Sequence, residues 1–226
     1  MEEIKNFNKY IDHTILRPEA TKQEIIQVCQ EAIKYNFATC FLPPCYLKLA
    51  KEILKDSQVK LGAPISFPFG YQDTEIKVLE TKKAIEEGAE EIDMVINISY
   101  LKSKEYDKLL EDISRVVEAA KPYGVKVIVE TCYLTREEKI KILEIAIKAG
   151  CEYIKTSTGF GPKGAELEDI RLFKELAKDK IKIKASGGIR TYLQAKNLII
   201  AGASRIGTSA GVKIMNEYLN LIGREK

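Results

Sequence analysis

Two alternating periods of apolar and polar positions run along the chain. Short runs rich in β-branched residues recur, and between them lie longer stretches whose apolar residues keep the three- and four-residue spacing of an amphipathic helix. The strand candidates are YIDHTIL from Tyr10, ATCFLP from Ala38, VKLGAPISF from Val59, EIDMVINI from Glu91, VKVIVE from Val125, CEYIK from Cys151, IKIKAS from Ile181 and SRIGT from Ser204. Helical stretches between them include TKQEIIQVCQEAIKY, DTEIKVLETKKAIEEG, EYDKLLEDISRVVEAAKPYG and TREEKIKILEIAIKAG. Thr21 with Glu24 and Thr135 with Glu138 stand at capping-box spacing, and Gly88, Gly124 and Gly150 stand where helices should stop.

Eight strand and helix units in 226 residues leave about 28 residues each, room for a strand, a helix and two tight loops but none for a second domain. The expected fold is therefore α/β, a (β/α)8 TIM barrel of eight parallel strands with surrounding helices, with residues 1–226 forming one domain. The rival is a doubly wound open sheet, but no G-x-G-x-x-G turn follows the first strand.

Composition narrows the function classes. The 36 basic and 33 acidic residues are intermixed and leave a net charge of +3, so no face is marked for nucleic acid or membrane, while a small phosphorylated molecule stays compatible. Cys29, Cys40, Cys45, Cys132 and Cys151 are odd in number and contain no C-x-x-C, and they read as small buried residues in a reducing compartment. The opening MEEIKNFNKY has no signal-peptide run, and no apolar stretch approaches the span of about 20 residues that a bilayer requires. The cytoplasm is the expected location.

In such barrels chemistry sits where strands end at the mouth. Lys155 in EYIKTSTGF and Lys184 in IKIKASGGIR close two late strands and are followed by small polar residues and glycine. Burial and a neighbouring positive charge both disfavour the ammonium form, and a neutral amine there attacks a carbonyl. The plainer reading sends both lysines to solvent. Lys182 shares the face of Lys184 roughly 6.6 Å lower and reads as a solvated strand start. In EIDMVINI, alternation puts Glu91, Asp93, Val95 and Asn97 inside the barrel and Ile92, Met94 and Ile96 against helices. Asp93 is then either a proton shuttle or a structural ion-pair partner.

Three turns of small residues, Thr156 to Gly159, Ser186 to Gly188 and Gly207 to Gly211, follow consecutive strands and suit a phosphate by offering backbone N–H groups. His13 is the single histidine, which argues against a histidine-built zinc site and against Ser-His-Asp or Cys-His triads, and it reads as a core or rim residue beside Asp12. No nucleophile elbow or phosphate-binding P-loop signature is present. Imine chemistry without metal or cofactor is left.

The segments YIDHTIL with LRPEAT, SFPFG, EIDMVIN, KVIVETCYLT, YIKTSTGF, KASGGIRT and RIGTSAG, in that order from about Tyr10 to Gly211, resemble the deoxyribose-phosphate aldolase family. The resemblance implies a class I aldolase that reversibly cleaves 2-deoxy-D-ribose 5-phosphate to D-glyceraldehyde 3-phosphate and acetaldehyde, with no cofactor, as a homodimer or homotetramer. It makes Lys155 the Schiff-base lysine, Lys184 the lysine that perturbs it and Asp93 the proton relay. Thr158, Gly159, Gly187, Gly188, Thr208 and Ser209 would surround the phosphate, while Asp12 and Cys40 would line the sugar end. The imine is expected to take up electrons as the C3–C4 bond breaks. Lys155→Ala is expected to abolish cleavage, and Lys184→Leu or Asp93→Leu to slow it with the fold intact.

Three positions depart from the family pattern. Leu42 in CFLPP replaces an asparagine and with it a sugar-hydroxyl contact, Ser66 in SFPFG stands where glycine is commoner, and the IGREK ending lacks a terminal tyrosine that some members use as a proton carrier, for which Tyr218 is no obvious substitute. Two readings compete: another class I lyase of the transaldolase or fructose-bisphosphate type, and a catalytically silent barrel that binds sugar phosphates.

Overall fold

The structure, a computed structural model, describes residues 4–224 of the chain. The first three residues of MEEIKNFNKY and the last two of IGREK lie outside the described residues. Eight strands, β1 (Ile11–Thr14), β2 (Thr39–Phe41), β3 (Lys60–Ile65), β4 (Glu91–Val95), β5 (Val125–Ile128), β6 (Tyr153–Lys155), β7 (Lys182–Ser186) and β8 (Arg205–Thr208), pair in sequence order, and β8 closes on β1. All eight pairings are parallel. The expected eight-stranded parallel barrel is what forms, and each strand lies within its predicted segment.

The helices are α1 (Lys22–Tyr35), α2 (Leu47–Leu54), α3 (Thr74–Glu86), α4 (Ile98–Lys102), α5 (Tyr106–Ala120), α6 (Arg136–Lys148), α7 (Leu167–Ala177), α8 (Tyr192–Ile200) and α9 (Gly211–Arg224). Both expected capping boxes start helices, α1 from Thr21 and α6 from Thr135. A third, Thr191 with Gln194, starts α8. Gly88 and Gly150 follow their helices at φ +108° and +81°, a left-handed turn that glycine makes without a Cβ clash. Gly124 does something else. Helix α5 stops earlier, where Lys121 is extended ahead of Pro122, and a Cβ on Gly124 would meet the Glu152 carboxylate at 1.9 Å.

Strands β2, β4, β5 and β6 are buried along their whole length because both faces are covered, one by the barrel interior and the other by helices. Ile92, Met94 and Ile96 are fully buried in the apolar shell between sheet and helices, as alternation required. That shell is where burial of hydrocarbon stabilises the fold, at about 25 cal/mol per Å² removed from water. Outside the barrel, buried Lys77 of α3 reaches Asp112 of α5 at 2.6 Å and the Val95 carbonyl at 3.3 Å, tying both helices to the end of β4. Of the cysteines, Cys29, Cys40 and Cys151 are buried as expected, whereas Cys45 is exposed and Cys132 half-buried. No helix among the described residues is long and apolar enough to cross a membrane.

Candidate active site

Lys155 and Lys184 are directly paired residues of β6 and β7, so both side chains enter the barrel at the same height. Neither escapes to solvent: they are 4% and 1% exposed. Each donates to the same oxygen, Asp93 Oδ2, at 2.7 Å. Lys184 Nζ also lies 2.5 Å from Asp12 Oδ2, as an ion-pair contact away from hydrogen-bond alignment. Lys182, by contrast, is an exposed strand start paired with Glu152 at 2.9 Å.

Two glycines and one ring make room for this cluster. The Phe41 ring sits 4.0 Å from Lys184 Nζ, an arrangement in which the ring face favours the cation. A Cβ on Gly62 would come within 2.5 Å of that ring, and a Cβ on Gly207 would come within 3.1 Å of Lys184 Cε.

The electrostatics follow from burial and from who shares whom. Burial is the largest influence on Lys155 and disfavours its ammonium form; Asp93 opposes and Lys184 adds to the depression, leaving its pKa at about 8. The neighbouring lysine is thus the smaller cause, with desolvation ahead of it. Burial would raise Asp93, but Lys155, Lys184 and Lys126 outweigh it and hold the carboxyl well below the usual range.

A cavity of about 420 Å³ opens above Lys155 at the C-terminal end of the strands. Its wall contains Thr158, Gly159, Gly187, Gly188, Thr208 and Ser209, so the six expected phosphate residues do converge with the amine. Asp93 and Lys184 stand behind Lys155 and do not reach that wall. Two of the six have their hydroxyls engaged. Thr158 gives both its N–H and its hydroxyl to Glu130, and the Thr208 hydroxyl donates to the Ile189 carbonyl at 2.7 Å while accepting from Ala210 N–H. They shape the loops, leaving Gly159, Gly188 and Ser209 exposed at the mouth. Gly188 holds φ +76° with open space where a Cβ would be, so its positive φ is what requires glycine.

Cys40 is a correction. In β2, Thr39 and Phe41 face the interior, and period-two alternation turns Cys40 outward against Cys29 of α1. It is fully buried in the apolar shell and is absent from the cavity wall. Asp12 faces inward beneath Lys184 but likewise does not reach the cavity wall. Leu42 is buried in the apolar shell. Ser66 adopts φ +54°, which explains why glycine is favoured there, and is held by donation of its N–H to Glu80 at 2.7 Å and of its hydroxyl to Gln72. Tyr218 packs on Phe7 and Tyr192 and donates its hydroxyl to the Ile4 carbonyl at 3.2 Å.

Sequence reasoning passed over several residues of the site. Thr14, Arg17 and Arg190 line the cavity; Arg17 is engaged by Glu24, while Arg190 is in no ion pair among the described residues. Glu130, at φ +52°, anchors the loop after Lys155 through Thr158. Lys126 and Arg205 are buried or nearly so beneath the reacting cluster. A lysine second in the largely apolar run VKVIVE and an arginine second in SRIGT were the available signals.

A lysine amine buried against a carboxylate, with a second lysine on the same oxygen and a glycine-lined cavity above, has the chemistry an imine would need. The family model for DeoC/LacD family aldolases matches residues 7–217. The chain belongs to that family. A deoxyribose-phosphate aldolase of Caldanaerobacter subterraneus subsp. tengcongensis is 53% identical over 220 residues, covering 96% of this chain and 95% of the relative. Among solved structures, the aldolase QR15 matches with a TM-score of 0.95 at 41% identity, covering 99% of this chain and 100% of its own. The tetrameric deoxyribose phosphate aldolase of Aeropyrum pernix matches with a TM-score of 0.89 at 32% identity, covering 95% and 92%. Family membership carries the aldolase activity and removes the silent-barrel alternative.

Proposed function

We propose that this aldolase reversibly cleaves 2-deoxy-D-ribose 5-phosphate to D-glyceraldehyde 3-phosphate and acetaldehyde through a Schiff base on Lys155, in deoxyribose phosphate catabolism. The observation that carries the reading is the buried Lys155 amine, lowered to about 8 by burial, at the floor of the glycine-lined cavity. The relatives named deoxyribose-phosphate aldolase over nearly the whole chain supply the substrate.

The neutral amine attacks C1 of the open-chain sugar, and loss of water gives a protonated imine. Acetaldehyde takes C1 and C2, so the bond that breaks is C2–C3, and the expectation of C3–C4 is corrected by counting carbons. The C3 hydroxyl gives up its proton, the C2–C3 electron pair flows to the iminium nitrogen, and glyceraldehyde 3-phosphate leaves an enamine. Protonation at C2 and hydrolysis of the imine then release acetaldehyde and restore the amine. Asp93 Oδ2, bonded to both lysines, and Lys184, in contact with both Asp93 and Asp12, form the proton route. Exposed Gly159, Gly188 and Ser209, with Arg190, receive the phosphate.

The chain works as a homodimer or homotetramer, supported by the tetramer of the Aeropyrum relative, and in the cytoplasm, supported by the composition and cysteine usage. Reduction with sodium borohydride in the presence of acetaldehyde tests the chemistry. An ethyl group on the Lys155 peptide is the expected result; no adduct, or an adduct on another lysine, sinks the proposal.

A further inference from the structure

Six ionisable side chains, five of them buried, alternate in sign around the barrel interior and close on themselves. Asp93 Oδ2 meets Lys184 at 2.7 Å, Lys184 meets Asp12 at 2.5 Å, and Asp12 meets Arg205 at 2.7 Å. Arg205 then meets Glu91 at 3.3 Å, Glu91 meets Lys126 at 2.5 Å, and Lys126 returns to Asp93 Oδ1 at 3.4 Å. Strands β1, β4, β5, β7 and β8 contribute the members, and none but Arg205, at 13%, is more than 7% exposed at its side chain. Each carboxylate serves two cations inside the ring. Lys155 attaches to Asp93 from outside it and has no carboxylate of its own.

The other elements facing this layer add little charge. Strand β2 contributes Thr39 and Phe41, β3 contributes Gly62, and Tyr153 of β6 accepts from Arg205 at 3.3 Å. Lys60 reaches Glu91 at 3.7 Å from a half-exposed position, where solvent screens it. Glu130, in the layer above, accepts from Thr158 and lies near enough to Lys155 for the two charges to interact, and it is unchanged in every variant tested below.

We infer that the ring sets the protonation of Lys155: Lys126 competes with it for Asp93 and favours the neutral amine, while Glu91, held between Lys126 and Arg205, tempers that pull, and none of the three touches substrate. They are positioning residues for the charge of Asp93, and the inference rests on the imine reading of Lys155. Removing a ring cation hands carboxylate charge back to Lys155 and stabilises its ammonium form. Removing a ring anion does the reverse, since Lys126 then leans harder on Asp93.

The test is the pH dependence of imine trapping by acetaldehyde and borohydride, read on the Lys155 peptide. Lys126→Met should move the acid limb of trapping up by about one pH unit, and Glu91→Gln should move it down. The double variant, which removes one charge of each sign, should return it to near the wild-type position, and Lys126→Arg should hold it there. A merely structural role lowers the amplitude in every variant without moving the limb in opposite directions. An unmoved limb in Lys126→Met, or both single variants shifting the same way, overturns the inference. If Lys126→Met does not fold, Glu91→Gln and the double variant decide it by the same directions. Absence of any wild-type adduct on Lys155 would instead sink the imine reading itself.

Discussion

Lys155 and Lys184, paired across β6 and β7, share a single carboxylate oxygen, Asp93 Oδ2, at 2.7 Å each. Lys184 has Asp12 as well, at 2.5 Å, whereas Lys155, among the described residues, is ion-paired with Asp93 alone while fully buried, and burial disfavours its ammonium form. Lys155 lines the cavity, and its pKa is lowered to about 8.

With that pKa at about 8, roughly a tenth of Lys155 is neutral at pH 7 and roughly nine tenths at pH 9. Imine formation is expected to rise about tenfold across that interval and then level off, measured as the initial rate of borohydride-trapped adduct. The same depression has a stability sign. The unfolded lysine holds its proton to about 10.4, so from about pH 8 to that value the unfolded state binds more protons and this residue's contribution to stability improves as pH rises. A trapping rate flat from pH 6 to 9 contradicts both statements.

Asp93→Leu was expected to spare the fold, but Asp93 touches Lys155, Lys184 and Lys126. Removing it leaves three cations without their shared partner, a change that costs about 3–5 kcal/mol in comparable buried pairs. Asp93→Asn keeps the shape and loses the charge. Its kcat should fall by about 10²–10⁴-fold through loss of the proton route, with a native circular dichroism spectrum, while Asp93→Leu should show a clearly lower denaturation midpoint.

Cys40 faces α1, so Cys40→Ala should leave KM for the sugar phosphate within about twofold and cost about 1–2 kcal/mol of stability through lost packing. Steady-state kinetics beside chemical denaturation separate the two effects. A large rise in KM with unchanged stability would put the thiol back at the sugar.

Arg190 lines the cavity and is in no ion pair among the described residues. Arg190→Ala should raise KM for the phosphorylated sugar about tenfold, the loss of one charge-assisted hydrogen bond, and change that for 2-deoxyribose little. Equal losses on both substrates would remove the guanidinium from phosphate recognition.

The eight strands, their order and the inward face of EIDMVINI were legible because period-two and period-3.6 patterns report which side of an element is buried, and that is a local property. The burial of Lys155 and Lys184 at the strand ends was legible too, since each closes an apolar strand ahead of a glycine-bearing turn. What alternation alone could also have told, that Cys40 points away from Thr39 and Phe41, was overridden by resemblance, and the structure restored it. The ring of charges, the commitment of Thr158 to Glu130 and the ordering of burial ahead of Lys184 in lowering Lys155 were decided by tertiary structure. Each depends on distances between residues tens of positions apart, and a hydrogen bond or a Coulomb interaction is set by those distances and by the solvent excluded around them, neither of which a linear pattern contains.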